Sequence, residues 1–188
     1  MAKAKQKAGM LGILMGVVVV AMCAMSIAGL AIDEWTVVKT SSELIGAEGD
    51  TSFSFGYYSD SVIGEDGEKL EDITIAFDSD NQESMRTAMV VFGYFAVIAV
   101  CALAVLYLLK MVLNFGLMRF LVGLLGIVTL AAGAVLTGVT ASYCANFAGN
   151  ISIGSIVSNE LMMGTGAYLA CIGTMAGGLA AIVGVARK

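Results

Sequence analysis

The stretch Gly9–Trp35, GMLGILMGVVVVAMCAMSIAGLAIDEW, decides the architecture. Its first 24 residues, Gly9 to Ile32, carry no charged side chain, and Asp33, Glu34 and Trp35 close it. A helix rises about 1.5 Å per residue, so about 20 apolar residues cross about 30 Å of hydrocarbon. Lys3, Lys5 and Lys7 precede the block, as in a secretory signal. The apolar run nevertheless exceeds the roughly 7–15 residues of a signal core, and an uncleaved span is expected. Backbone groups in lipid must be satisfied within the segment, so the span is a helix.

Three more blocks have the same character: about Thr87–Leu109, Phe120–Ala141 and Leu161–Val185, none with a charge inside. The 188 residues are 59% hydrophobic and 13% charged, against roughly 45–50% and 25% in a soluble domain. The expected fold is a membrane all-α protein: one domain over residues 1–188, a four-helix transmembrane bundle. There is no proline, hence no proline kink in any span.

Charge placement orients the chain. Lys3, Lys5 and Lys7, then Lys110 and Arg119 between spans 2 and 3, then Arg187 and Lys188 form a set with no acid among them. The 33–86 loop holds Lys39, Lys69 and Arg86 against fourteen acids, and the 142–160 loop holds only Glu160. The positive-inside rule puts both termini and the short link in the cytoplasm and both larger loops outside; a plasma or cell membrane is the expected location.

The 33–86 loop is too long for a structureless connection. Trp35–Thr40 is β-prone; Thr51–Tyr58 alternates with Phe53, Phe55 and Tyr57 on one side; Lys69–Phe77 alternates with Ile73, Ile75 and Phe77 together. Gly64-Glu65-Asp66-Gly67 between the latter two contains an Asp-Gly hairpin signal. A small antiparallel sheet is expected, its apolar face on the outer helix ends. Ile151, Ile153 and Ile156-Val157 suggest one further edge strand from the second outer loop.

Several chemistries lack their residues. With no histidine in the chain, imidazole general bases and metal ligands are excluded. No phosphate loop or nucleophile–base set occurs, and no ionisable residue sits at mid-membrane, where a proton relay would need one. Ser26, Thr129, Thr137 and Thr174 read as helix-packing hydroxyls. No cofactor, metal site or nucleic-acid partner is expected, and the chain is read as a non-enzyme. Asp78-Ser79-Asp80-Asn81 lacks the glycine and spaced glutamate of a calcium loop. Asn150-Ile151-Ser152 is an outward-facing glycosylation sequon. Cys144 reads as a small apolar packing residue.

Other residues carry two readings each. Trp35 is an interfacial aromatic or a plug between sheet and helix ends. Arg86, beside Asp78, Asp80 and Glu83, is a snorkelling anchor or a clamp from span 2 to the loop. Gly12 and Gly16 in span 1, and Gly173 and Gly177 in span 4, are spaced for close helix approach, within one bundle or toward a second molecule. Gly123, Gly126, Gly133 and Gly138 in span 3 read the same way. Asp60, Glu65, Asp66, Glu68, Glu71 and Asp72 form a solvated surface or a cation-attracting mouth.

Four spans, a long strand-rich first outer loop, a short inner link and a shorter second outer loop resemble the claudin-like tetraspan superfamily, including the peripheral myelin protein 22 group. The local matches are Ala28-Gly29-Leu30-Ala31-Ile32-Asp33-Glu34-Trp35 at the end of span 1, Phe55-Gly56-Tyr57-Tyr58 at the family's Gly-Leu-Trp region, Ser84-Met85-Arg86-Thr87-Ala88-Met89 leading into span 2, and Gly166-Ala167-Tyr168-Leu169-Ala170 in span 4. The family's pair of loop cysteines and the Gly-Leu-Trp tripeptide itself are not present. The resemblance implies a non-enzymatic membrane protein mediating protein–protein contact, assembly or adhesion through its outer sheet. Small-residue helix faces would add self-association or a membrane-protein partner. A pore-forming or auxiliary channel subunit with an acidic mouth is the alternative, and a small membrane enzyme or transporter the third.

Overall fold

The computed structural model describes residues 10–32, 34–42, 47–53, 55, 80–113, 115–147 and 157–186. Four helices dominate: α1 (Met10–Ala31), α2 (Asp80–Val112), α3 (Gly116–Phe147) and α4 (Thr165–Ala186). All four are long and apolar enough to cross a membrane. Their outward faces bear this out. Ile98 and Phe120 are each 66% exposed and Val17 is 63% exposed, while Ser26, Thr129 and Thr174 are fully buried. Large apolar side chains outside and small or hydroxyl residues inside invert the soluble pattern and suit a hydrocarbon solvent. The chain is an integral membrane protein.

The helices pack in a ring: α1 on α4, α4 on α3, α3 on α2, and α2 back on α1. Two helices exceed their apolar blocks. α2 begins at Asp80, not near Thr87, and α3 runs from Gly116 to Phe147, beyond 120–141. At 33 residues α2 is about 50 Å long, well over the hydrocarbon thickness. Hydropathy marks only the part of a helix in lipid, and no proline stops either helix in the polar flanks.

The sheet has three antiparallel strands in the order β2-β1-β3: β1 (Thr36–Ser42), β2 (Ala47–Phe53) and β3 (Val157–Met163). Thr36 is opposite Phe53 on one side and Met163 on the other. β1 lies where Trp35–Thr40 was expected, and the second loop contributes an edge strand. Two boundaries differ from expectation. β2 ends at Phe53, and Phe55 sits in a turn beyond it. Leu161-Met162-Met163, expected to open span 4, is strand, and α4 starts at Thr165. An apolar run does not by itself distinguish a strand from a helix start. The alternation of 69–77, the hairpin at 64–67, Ile151 and Ile153 lie outside the described residues.

The sheet has an inner and an outer face. Thr36 and Leu161 are buried, while Lys39, Ser52 and Met162 are exposed. Register agrees, since Thr36 and Leu161 lie an even number of residues from paired positions on one side of the pleat.

Candidate functional site

The sheet joins the bundle through Trp35. The residue lies between the end of α1 and the first residue of β1, and its side chain is buried between the two layers. It is 1% exposed, in one apolar cluster with Met89, Leu136, Tyr143, Leu161 and Ala167. α2, α3, β3 and α4 therefore all contribute to the cluster that holds this ring. Its indole N–H donates to Met89 Sδ at 3.1 Å, so the only polar atom of the plug is satisfied inside the core.

Phe55 adds a second layer. Its ring is edge-on to Trp35 at 4.5 Å and to Tyr94 at 5.2 Å, a run of three aromatics from α1's exit to α2. Phe55 lies over Gly93, where an added Cβ would come within 2.5 Å of the ring. The turn after β2 is thereby seated on α2.

Backbone contacts close the other side. The Gly164 N–H donates to Trp35 O at 2.8 Å and the Gly166 N–H to Glu34 O at 2.9 Å. The second bond satisfies a donor that the first turn of α4 leaves open. Any Cβ at Gly164 would collide with the Glu34 carbonyl. The exit of α1 and the start of α4 are thus stitched together beneath the sheet.

Below that seam α1 and α4 approach backbone to backbone. A Cβ on Gly29 would lie 2.6 Å from Ala170 N, and one on Gly173 2.5 Å from Ser26 Oγ and 2.7 Å from Met22 O. Gly177 faces Val100 and Met22, and Gly16 faces Met111 and Tyr107. Of the two readings of Gly16, Gly173 and Gly177, close approach within one bundle is the one these contacts support: each faces this chain's own helices. Gly12 contributes its carbonyl, which accepts from Tyr107 Oη at 3.1 Å. On α3, Gly126 and Gly133 pack on α4, whereas Gly138 faces open space. Hydroxyls follow the close approach. Ser26 Oγ donates to Met22 O at 3.0 Å and sits 3.3 Å from Thr174 Oγ1, which donates to Ala170 O at 2.7 Å. Among the described residues, the buried Thr140 Oγ1 has no partner.

The end of the bundle remote from the sheet has its own lock, unanticipated from sequence. Lys110, 8% exposed, donates from Nζ to Gly184 O at 2.9 Å and sits 4.3 Å over the Tyr107 ring. Gly184 lies against the Tyr107 hydroxyl. The pair ties α2 to the start of α1 and the last turn of α4, where a cation offsets the helix dipole. A lysine and a tyrosine three apart on one helix face were the available signal.

Arg86 is half-buried on α2 near Met89 and Met85. Gly56, Tyr57 and Tyr58, and the carboxylates Asp60, Glu65, Asp66, Glu68, Glu71 and Asp72, lie outside the described residues. Among the described residues no group of three or more cysteine, aspartate or glutamate side chains is placed to hold a metal ion.

Fold and junction together define a four-helix integral membrane bundle capped at one end by a three-stranded sheet. No family model matches the chain, and no curated protein matches it.

Proposed function

We propose that the protein is a non-enzymatic, claudin-like tetraspan whose sheet is an extracellular contact platform for a neighbouring molecule, in adhesion or assembly at the plasma membrane. The carrying observation is the seating of the sheet. Trp35, Phe55 and the Gly164–Gly166 seam fasten its inner face to four helices, while Lys39, Ser52 and Met162 face away. A platform held this firmly loses little conformational freedom on binding. The end of the bundle bearing Lys110 and Arg119 is cytoplasmic, in keeping with the excess of basic residues there. Gly173 and Gly177 lie against this chain's own helices, so neither presents a face to a second molecule.

Photo-crosslinkers at Lys39 and Ser52, introduced one at a time in intact cells, test this. Crosslinks to a second protein from these sites, and none from lipid-facing Ile127, are expected. Equal yields from all three positions, or none from the sheet, would sink the proposal.

A further inference from the structure

Cys23 on α1 and Cys101 on α2 place their sulfurs 3.5 Å apart. Both are reduced and half-buried, deep within stretches that carry no charged residue. Val19, Leu103 and Ala104 belong to the apolar cluster against which Cys23 packs. Cys144 and Cys171, by contrast, are buried in α3 and α4. A disulfide needs its sulfurs about 2.05 Å apart. The remaining gap is small beside the rise of about 5.4 Å for one helical turn.

The surroundings select the oxidant. Polar oxidants partition poorly into hydrocarbon, whereas an organic hydroperoxide, such as a peroxidised acyl chain, is dissolved in it and meets the lipid-facing side of half-buried thiols. We propose that Cys23 and Cys101 are a membrane-embedded dithiol that a lipid-soluble organic hydroperoxide converts to a disulfide joining α1 to α2. In the first step one thiol takes the terminal peroxide oxygen. The O–O bond breaks, the organic part leaves as its alcohol, and a sulfenic acid forms. In the second step the other sulfur attacks the sulfenic sulfur. The S–S bond forms, the S–O bond breaks, and water leaves with the thiol proton. The dithiol loses two hydrogens, and the hydroperoxide becomes alcohol plus water. The link covalently closes the α1–α2 side of the helix ring, whose α1–α4 side already rests on close backbone packing.

The test uses the full chain in phospholipid vesicles treated with cumene hydroperoxide. Samples are then denatured and the free thiols counted by mass-shifting maleimide on a non-reducing gel. The wild type is expected to fall from four labels to two as a monomer and to regain four with dithiothreitol. Cys23→Ser and Cys101→Ser should each yield no linked peptides and lose at most the one label of a stalled sulfenic acid, while Cys144→Ala and Cys171→Ala should each fall from three to one. Peptide mapping of the oxidised wild type gives a readout that needs no variant: a linked pair of peptides containing residues 23 and 101. Four labels retained at a dose that oxidises a lipid-anchored thiol reporter in the same vesicles would overturn the proposal. So would a link mapped to another pair, or label loss that dithiothreitol does not reverse.

Discussion

The indole N–H of Trp35 points at the sulfur of Met89, 3.1 Å away, in a site that leaves the tryptophan 1% exposed. Trp35 belongs to the chain leaving α1 and Met89 to the second turn or so of the membrane-crossing part of α2. One weak hydrogen bond therefore spans the first loop at its base, beside the aromatic contact of Trp35 with Phe55.

Trp35→Ala should lower unfolding free energy by about 3–5 kcal/mol, the usual cost of emptying a large aromatic site. Met89→Leu keeps the volume but strands the indole N–H, at about 1–3 kcal/mol. Because Trp35 is the only tryptophan, its own emission reports Met89→Leu unfolding in detergent, while helix ellipticity reports Trp35→Ala. Equal midpoints for Trp35→Ala and wild type would refute the plug.

Gly173→Leu and Gly138→Leu form a matched pair. The first forces a side chain into Ser26 and the Met22 backbone, where flexible atoms cannot yield; the second enters open space. Overpacking costs about 1–3 kcal/mol or more, against about 0.5 kcal/mol or less for a permissive surface site. Denaturant midpoints of the two variants should separate accordingly, and identical midpoints would place the α1–α4 contact elsewhere.

Lys110→Met removes a charge-assisted bond to Gly184 O and the cation over Tyr107, while keeping a similar apolar stem. A loss of about 1.5–3 kcal/mol is expected. Tyr107→Phe, which deletes only the bond to Gly12 O, should cost about 1 kcal/mol. Since Tyr107 and Lys110 touch, the double variant should depart from additivity. Strict additivity would show that the two act separately.

Gly164→Ala places a Cβ against the Glu34 carbonyl, which is backbone and cannot swing aside. The expected result is faster amide exchange at Gly164 and Gly166, the two donors of the seam, with α2 and α3 protected as before. Unchanged exchange at both donors would mean that the seam tolerates a side chain.

How much of this was legible beforehand depended on the range of each signal. β1 was readable because Thr36–Ser42 holds β-branched residues. β2 was largely missed because Ala47–Phe53 contains glycine, alanine, glutamate and aspartate, poor strand formers that pair only because β1 offers a ladder. Trp35 could be singled out by its position after a span. Met89, Gly93 and Gly164 could not, since nothing local marks a methionine as an acceptor or a glycine as a seat. The thiol pair is 78 residues apart in the chain and meets only because α1 and α2 are neighbours in the ring.

Composition and hydropathy alone determined that this chain enters a membrane through four helices, because the free energy of placing charge-free blocks in hydrocarbon depends on length and residue type, not on partners. Tertiary structure alone decided where the glycines point, what the tryptophan plugs and which end Lys110 and Tyr107 lock. Those outcomes depend on which helix lies against which, and in lipid that choice rests on shape fit between small residues. Fit of that kind belongs to two surfaces at once and is written in neither segment by itself.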